Sequence, residues 1–256
     1  MESKKPLILV TNDDGITAKG IFSLQEAMLE FGDVVVVAPD SPQSGMGHAI
    51  TINEPLRLKK GNFFESAEAY ACSGTPVDCV KLGIYEVLHR TPDLIVSGVN
   101  HGANTSTNVL YSGTMSAAVE GAMEGIPSIG FSLYDYAADA DFTNAIEVVK
   151  KVVAKVLEKG MPKNVCLNVN IPDLPIGEVK GIEVCKQAHA FWDDRFDKRK
   201  DPFNNDYYWL TGDFVLQDTT KDTDLYWIEK GYATIVPTQF DMTAHKAMNE
   251  IENWKI

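Results

Sequence analysis

The chain has 256 residues, is 45% hydrophobic and 23% charged, and carries a formal net charge of -13; these are ordinary proportions for a globular protein with one sizeable core. The excess of negative charge repels DNA and RNA at long range, and no basic run with interleaved aromatics offsets it. No apolar stretch approaches the ~20 residues of a membrane-crossing helix. Leu7-Ile8-Leu9-Val10 is too short for the apolar region of a secretory signal and runs straight into an acidic turn, so it reads as a buried strand. Four widely spaced cysteines (Cys72, Cys79, Cys166, Cys185) form no C-x-x-C pair, so reduced core thiols and a cytoplasmic location are expected.

Leu7-Ile8-Leu9-Val10-Thr11 has the continuous apolar character of a central parallel strand. Ile21, Leu24, Met28 and Phe31 recur at helical spacing, and Gly32 closes that helix. Val34 to Ala38 is a second β-branched run, ended by Pro39. Thr75-Pro76-Val77-Asp78 predicts a helix start, with Thr75 as N-cap and Pro76 at the first position. Asp93 to Gly98 is a third strand. Ala117, Ala118 and Ala122 mark a small-residue helix, and Ser128 to Phe131 the strand after it. Ile146 to Leu157 is an amphipathic helix. Val165, Leu167, Val169 and Ile171 alternate with Cys166, Asn168 and Asn170 in a strand with one less apolar face.

Alternation of this kind predicts an α/β fold, doubly wound around a mainly parallel sheet. The chain reads as a single domain over 1–256, with an α/β core to about residue 185. An extension with β-hairpins and a C-terminal helical arm (Thr243 to Ile256) fills about 186–256. The aromatic segment Phe191 to Leu210 within it is read as a packed edge or an oligomerisation element.

In open α/β sheets the ligand lies beyond the carboxyl ends of the strands. The three exits here are Thr11-Asn12-Asp13-Asp14-Gly15, Pro39-Asp40 leading to Ser44-Gly45-Met46-Gly47-His48, and Ser97-Gly98-Val99-Asn100-His101-Gly102-Ala103-Asn104. All three are rich in oxygen and amide donors among glycines. Alone, Asp-Asp-Gly is an ordinary turn. Beside the other exits, Asp13 and Asp14 read as ligands of a hard divalent cation, joined by one hydroxyl and one amide oxygen, with Asn12 shaping the turn. His48 and His101 lie in the same loops as candidate proton donors or phosphate contacts. Ser112-Gly113-Thr114, opening an Ala-rich helix, offers free amides, hydroxyls and a helix dipole to an anion such as phosphate. No G-x-x-x-x-G-K-[ST] or G-x-S-x-G motif competes with that reading.

These segments, with Ser73 to Val80, Tyr111 to Thr114 and the later Gly231-Tyr232-Ala233-Thr234-Ile235-Val236-Pro237, resemble the survival protein E (SurE) nucleotidase family in order and spacing over nearly the whole chain. The resemblance implies a metal-dependent phosphomonoesterase of nucleoside 5′- and 3′-monophosphates, with short polyphosphate as a further substrate. It puts one divalent cation per subunit (Mg2+, Mn2+ or Co2+) on Asp13, Asp14, Ser44 and Asn100. Phosphate contacts fall on Asn104, Ser112, Gly113 and Thr114, so Asp13, Asp14, Asn104 and Ser112 form the expected catalytic set. It also implies a homodimer or homotetramer that exchanges C-terminal elements. Ser41-Pro42-Gln43 and His101 depart from the residues common at those positions, which bears on substrate preference. The mechanism expected is in-line attack of water, with Asp14 the candidate proton acceptor. A non-catalytic nucleotide sensor and a metal-dependent nucleotide-sugar transferase are the alternatives.

Overall fold

Ile8, Leu9 and Val10 are all inaccessible to solvent, yet they serve two different cores. Successive side chains of a strand point to opposite faces. Ile8 and Val10 join the cluster with Ile21, Leu24, Val149 and Val153, while Leu9 joins the one with Val37, Val80, Ile95 and Ala117. A strand covered on both faces has no place for polar alternation, which is why its sequence is continuously apolar.

The computed structural model describes residues 5–137, 139–175 and 177–254. Its strands are β1 (Leu7–Thr11), β2 (Asp33–Pro39), β3 (Leu58–Gly61), β4 (Glu68–Cys72), β5 (Leu94–His101), β6 (Ser128–Tyr134), β7 (Val165–Pro172), β8 (Ile182–Val184), β9 (Ala190–Lys200), β10 (Asp206–Leu216) and β11 (Ala233–Gln239). Nine of these described strands form one sheet in the order β3-β4-β2-β1-β5-β6-β7-β11-β8. The run from β4 to β7 is parallel throughout. β3 pairs with β4, and β11 with β7, in the antiparallel sense. The helices are α1 (Lys19–Met28), α2 (Pro76–Leu82), α3 (Gly113–Met123), α4 (Thr143–Lys159), α5 (Asp224–Glu229) and α6 (His245–Glu252). Helices α1 and α4 supply the first core and α2 and α3 the second, so the sheet is wound on both faces, as the sequence predicts.

The order reverses at β1, with β2 on one side and β5 on the other, and the crevice opens at their carboxyl ends. The predicted cap of α2 is present in full: Thr75 Oγ1 accepts from the Asp78 amide (3.2 Å), and Asp78 Oδ2 accepts from the Thr75 amide (2.9 Å). Three strands escape a reading based on apolar runs. β3 is a largely exposed edge with two lysines, β4 is built on alanines, and β8 has three residues.

Past residue 185 the chain divides its work. β11 returns to the main sheet beside β7, while β9 and β10 pair only with each other across eleven residue pairs. Tyr207-Tyr208-Trp209, from the aromatic segment, lies at the start of β10. α6 realises the expected helical arm, whose last two residues lie outside the described ones. Among the described residues no helix is long and apolar enough to cross a membrane, and the four cysteines are free.

Candidate active site

The turn after β1 is held from inside. Asn12 Nδ2 donates to the Gly15 carbonyl (2.9 Å), closing a loop whose last residue has φ +97°. The Gln43 amide donates to the Asp13 carbonyl (2.7 Å) and the Ile16 amide to the Pro39 carbonyl (2.8 Å). The first two strand exits are therefore joined by backbone bonds. Asp13 is 4% exposed. Burial, reinforced by the charge of Asp14 and opposed by Thr114, pushes its carboxyl up to about 6.

β5 brings the third exit alongside. Its pairing with β6 breaks register between Ser97 and Asn100, and the Gly98–Val99 peptide there is cis with Gly98 at φ +126°. A Cβ on Gly98 would lie 2.3 Å from the Phe131 carbonyl oxygen, so only glycine fits. Beyond it, Asn100 Nδ2 donates to the carbonyls of His101 (3.0 Å) and Gly102 (2.7 Å). The amide nitrogen is thereby committed, so the oxygen is the atom of this side chain left to serve an outside partner. The His101 amide and Nδ1 lie 3.4 and 3.5 Å from Asp14 Oδ2, at the long end of hydrogen bonding. Nε2 of the same ring is buried with no partner, and the ring edge packs on Phe142.

Asn104 is fixed by β7. Its amide donates to Asn170 Oδ1 (2.7 Å), its carbonyl accepts from Asn168 Nδ2 (2.8 Å), and its own Nδ2 donates to Ser132 Oγ (2.8 Å). Asn170 Nδ2 then donates to Asn168 Oδ1 (2.9 Å). Asn168 and Asn170 are about as buried as Val169 between them, and they satisfy the polar backbone of a loop that has no ladder of its own.

α3 meets the site at its N-terminus. Ser112 caps it, accepting from the Met115 amide (3.1 Å). Thr114 is wholly buried, and its hydroxyl donates to Asp13 Oδ1 (2.5 Å). A Cβ on Gly113 would stand 2.6 Å from Asp13 Cβ and 2.9 Å from its Oδ2. Gly113 and Thr114 thus form the seat of the Asp13 side chain, while Ser112 faces the opening.

A cavity of about 420 Å³ collects part of this set, and Asp14, Gly113 and Thr114 are not among the residues lining it. Asp13, Ser44, Asn100, His101, Asn104 and Ser112 line it. A larger groove of about 710 Å³ between α1 and α4 contains none of the strand-exit residues predicted to bind metal or phosphate. His48 is drawn elsewhere: its Nε2 lies 2.9 Å from Glu120 Oε2 on α3, and Glu120 also pairs with Lys81 of α2. Burial would raise the Glu120 carboxyl, but His48 and Lys81 more than offset that and hold it below its ordinary value. No group of three or more His, Cys, Asp or Glu side chains able to hold a metal occurs among the described residues. A cation here would therefore depend on neutral oxygen donors beside the two aspartates.

Residues 8–194 match the family model described as "Survival protein SurE". The chain belongs to the SurE family. It is similar to the proteins named 5′-nucleotidase SurE of Christiangramia forsetii (58% identity, covering 100% of this chain and 99% of the relative) and Flavobacterium psychrophilum (59%, 98% of each). Its structure is similar to the crystal structure of the SurE protein from Aquifex aeolicus, with a TM-score of 0.84 and 38% identity over 98% of this chain and 100% of that one.

The SurE-family cavity has further walls that sequence reasoning leaves out. Asn108, Tyr111, Tyr136 and Trp192 also line it. Tyr111 stands beside the Ser112 cap, in a motif where only the hydroxyl and glycine residues suggest chemistry. Trp192 arrives on β9 and bonds Asn108 Oδ1 through Nε1 (2.9 Å) across 84 residues of chain. No local pattern announces such a contact.

Proposed function

We propose that this SurE-family chain is a divalent-metal-dependent 5′-nucleotidase that hydrolyses nucleoside 5′-monophosphates, with 3′-monophosphates and short polyphosphate as further substrates. One observation carries the reading: a buried carboxylate, Asp13, is fixed by the N-terminus of α3 at the edge of a cavity shared by three strand exits. The names of the close relatives support the substrate class.

The residues fit a hard cation. Asp13 resists ionisation because it is buried beside Asp14, and a cation between the two would relieve both burial and repulsion. Asn100 offers an oxygen whose amide nitrogen is already committed, and Ser44 adds a hydroxyl on the cavity wall. Mg2+, Mn2+ or Co2+, when bound, would polarise the phosphoryl oxygens and make a nearby water more acidic. Asp13 and Asp14 hold their carboxylates at that point, Asp13 through Thr114 and Asp14 against His101. Ser112 and Asn104 orient the phosphate, and the α3 dipole favours its negative charge. Asp14, the less buried aspartate, accepts the proton of the attacking water, which approaches the phosphorus in line with the ester oxygen.

The exposed aromatics of β9 and β10, among them Phe196 and Trp209, with Ile251 of α6 and Trp254 just beyond it, support assembly into a homodimer or homotetramer through these C-terminal elements. Free cysteines suit a reducing cytoplasm. The test is phosphate release from a panel of mononucleotides and tripolyphosphate crossed with the three metals. Release from AMP that needs added metal, and that falls by orders of magnitude in Asp13→Asn, is expected; no release with any metal refutes the activity. Light scattering in solution tests the assembly, which a monomer at every concentration would refute.

A further inference from the structure

We infer that Tyr111 and Trp192 hold the nucleobase of the substrate between them and the adjoining groove, by stacking rather than by reading base edges. The inference rests on the nucleotidase reading above and deepens it. Beside the cavity at Asp13 lies a second opening of about 800 Å³, bordered by Leu110, Phe191 and Leu210. The two share a wall, because Gly45, Tyr111 and Trp192 line both. A phosphate ester seated between Asp13 and Ser112 can extend the rest of the molecule over that wall.

Both rings are held in place yet keep a free surface. Trp192 is tied at one end by Asn108 and packs on Phe214 with ring centroids 5.4 Å apart, while remaining 44% exposed. Tyr111 is anchored by its backbone: its amide donates to the Asn108 carbonyl (3.0 Å), and its carbonyl accepts from the Gly47 amide (3.2 Å). The residue as a whole is 61% exposed. Large aromatic surfaces held at little entropic cost are platforms for a flat π-system.

The polar side chains around the groove are mostly spent on the protein itself. Thr107 Oγ1 donates to the Ala190 carbonyl (2.7 Å), Thr211 Oγ1 to the Arg195 carbonyl (3.1 Å), and Asn108 Oδ1 accepts from Trp192. Asp194 also borders the groove but is exposed, where water competes for any base it could bind. A site of this kind ranks bases by stacking area. Purine nucleotides are favoured over pyrimidine ones, with little distinction among purines.

Steady-state phosphate release from AMP, IMP, UMP and glycerol 2-phosphate tests this in wild type, Trp192→Ala, Trp192→Phe and Tyr111→Ala. Removing a stacking ring lowers the AMP/glycerol 2-phosphate ratio of kcat/KM by roughly 5- to 150-fold, the usual range for loss of one base–aromatic stack. Trp192→Phe, which keeps a ring, restores most of it. Tyr111→Ala, on a different element, guards against a general loss of the hairpin. An unaltered ratio in Tyr111→Ala and Trp192→Ala overturns the inference, as does a wild type that prefers UMP to AMP. A wild type that hydrolyses none of the four esters instead refutes the nucleotidase reading beneath it.

Discussion

Gly113→Ala separates two roles for the start of α3. If Gly113 is simply part of an anion cradle, an alanine keeps the backbone amide and little changes, because φ at this position is not in the left-handed region. The structure predicts otherwise. The added Cβ would lie 2.6 Å from Asp13 Cβ and 3.1 Å from Pro76 Cγ. The first contact is short of ordinary van der Waals separation by about 0.8 Å, a misplacement of the order that costs ~100-fold in rate. Asp13 cannot retreat inward, since it is buried and bonded to Thr114, so the carboxylate shifts toward the cavity or the helix start moves away from it. Overpacking costs about 1–3 kcal/mol, and alanine returns up to ~1 kcal/mol of helix propensity. The net loss of about 0–3 kcal/mol lowers Tm by no more than roughly 12 °C. The expected variant is folded, melts slightly earlier, and has kcat/KM for AMP reduced about 100-fold at saturating metal. Phosphate release and thermal melting measure the two effects on one preparation. A Gly113→Ala enzyme with wild-type kcat/KM would refute the claim that this glycine exists to seat Asp13.

Two further outcomes follow from the same geometry. The raised Asp13 carboxyl, about 6 against an ordinary 3.8, makes its protonated form the stabilising one in the metal-free protein. That contribution is fully present below about pH 4 and is lost as pH rises through 6. It amounts to about 3 kcal/mol, and urea denaturation of chelator-treated protein should fall by that order between pH 4 and 8 relative to Asp13→Asn; parallel curves would contradict it. Asn170→Ala leaves the Asn104 amide and Asn168 Oδ1 without their partners. Its melting temperature should drop by several degrees, with about 1–3 kcal/mol lost per buried group left unpaired. KM for AMP should rise as Asn104 loosens, and an unchanged KM would show that the β7 asparagines do not position the loop.

The parallel core was legible because burial on both faces leaves a plain mark. β1 and β2 carry continuous apolar runs, Leu7 to Val10 and Val34 to Ala38, and β5 a shorter one from Leu94 to Val96, each giving way to the polar residues of the crevice. The cap at Thr75 and the turn at Asn12 were legible for another reason, since their hydrogen bonds join residues three apart. β3 left no mark because an edge strand needs no apolar face, and its lysines suit that position. The Asn168 and Asn170 alternation was visible as a less apolar face of β7. In fact both faces are buried, and the asparagines serve a loop more than sixty residues away.

Carboxylate, amide and hydroxyl residues crowded among glycines at three strand exits made Asp13 and Asp14 stand out from the sequence alone, while Asn100 and Asn104 were singled out within their exit by the resemblance to the SurE family. Their directions were not legible. Thr114 and Gly113 share a motif with Ser112, yet two residues of helix send Thr114 to Asp13 and leave Ser112 at the opening. A motif names the residues of a helix start but not which group each of them serves. The aromatic wall was further out of reach, because Trp192 comes from a hairpin whose position depends on tertiary contacts such as Ser106 Oγ accepting from the Ala190 amide (3.0 Å). The two halves of the site are therefore encoded differently. Asp13, Asp14 and Asn100 sit at or just beyond the ends of sheet strands, where the strands' own sequence places them. The aromatic wall proposed to meet the rest of the substrate is assembled from segments some eighty residues apart, so it can vary without disturbing Asp13, Asp14 or Asn100.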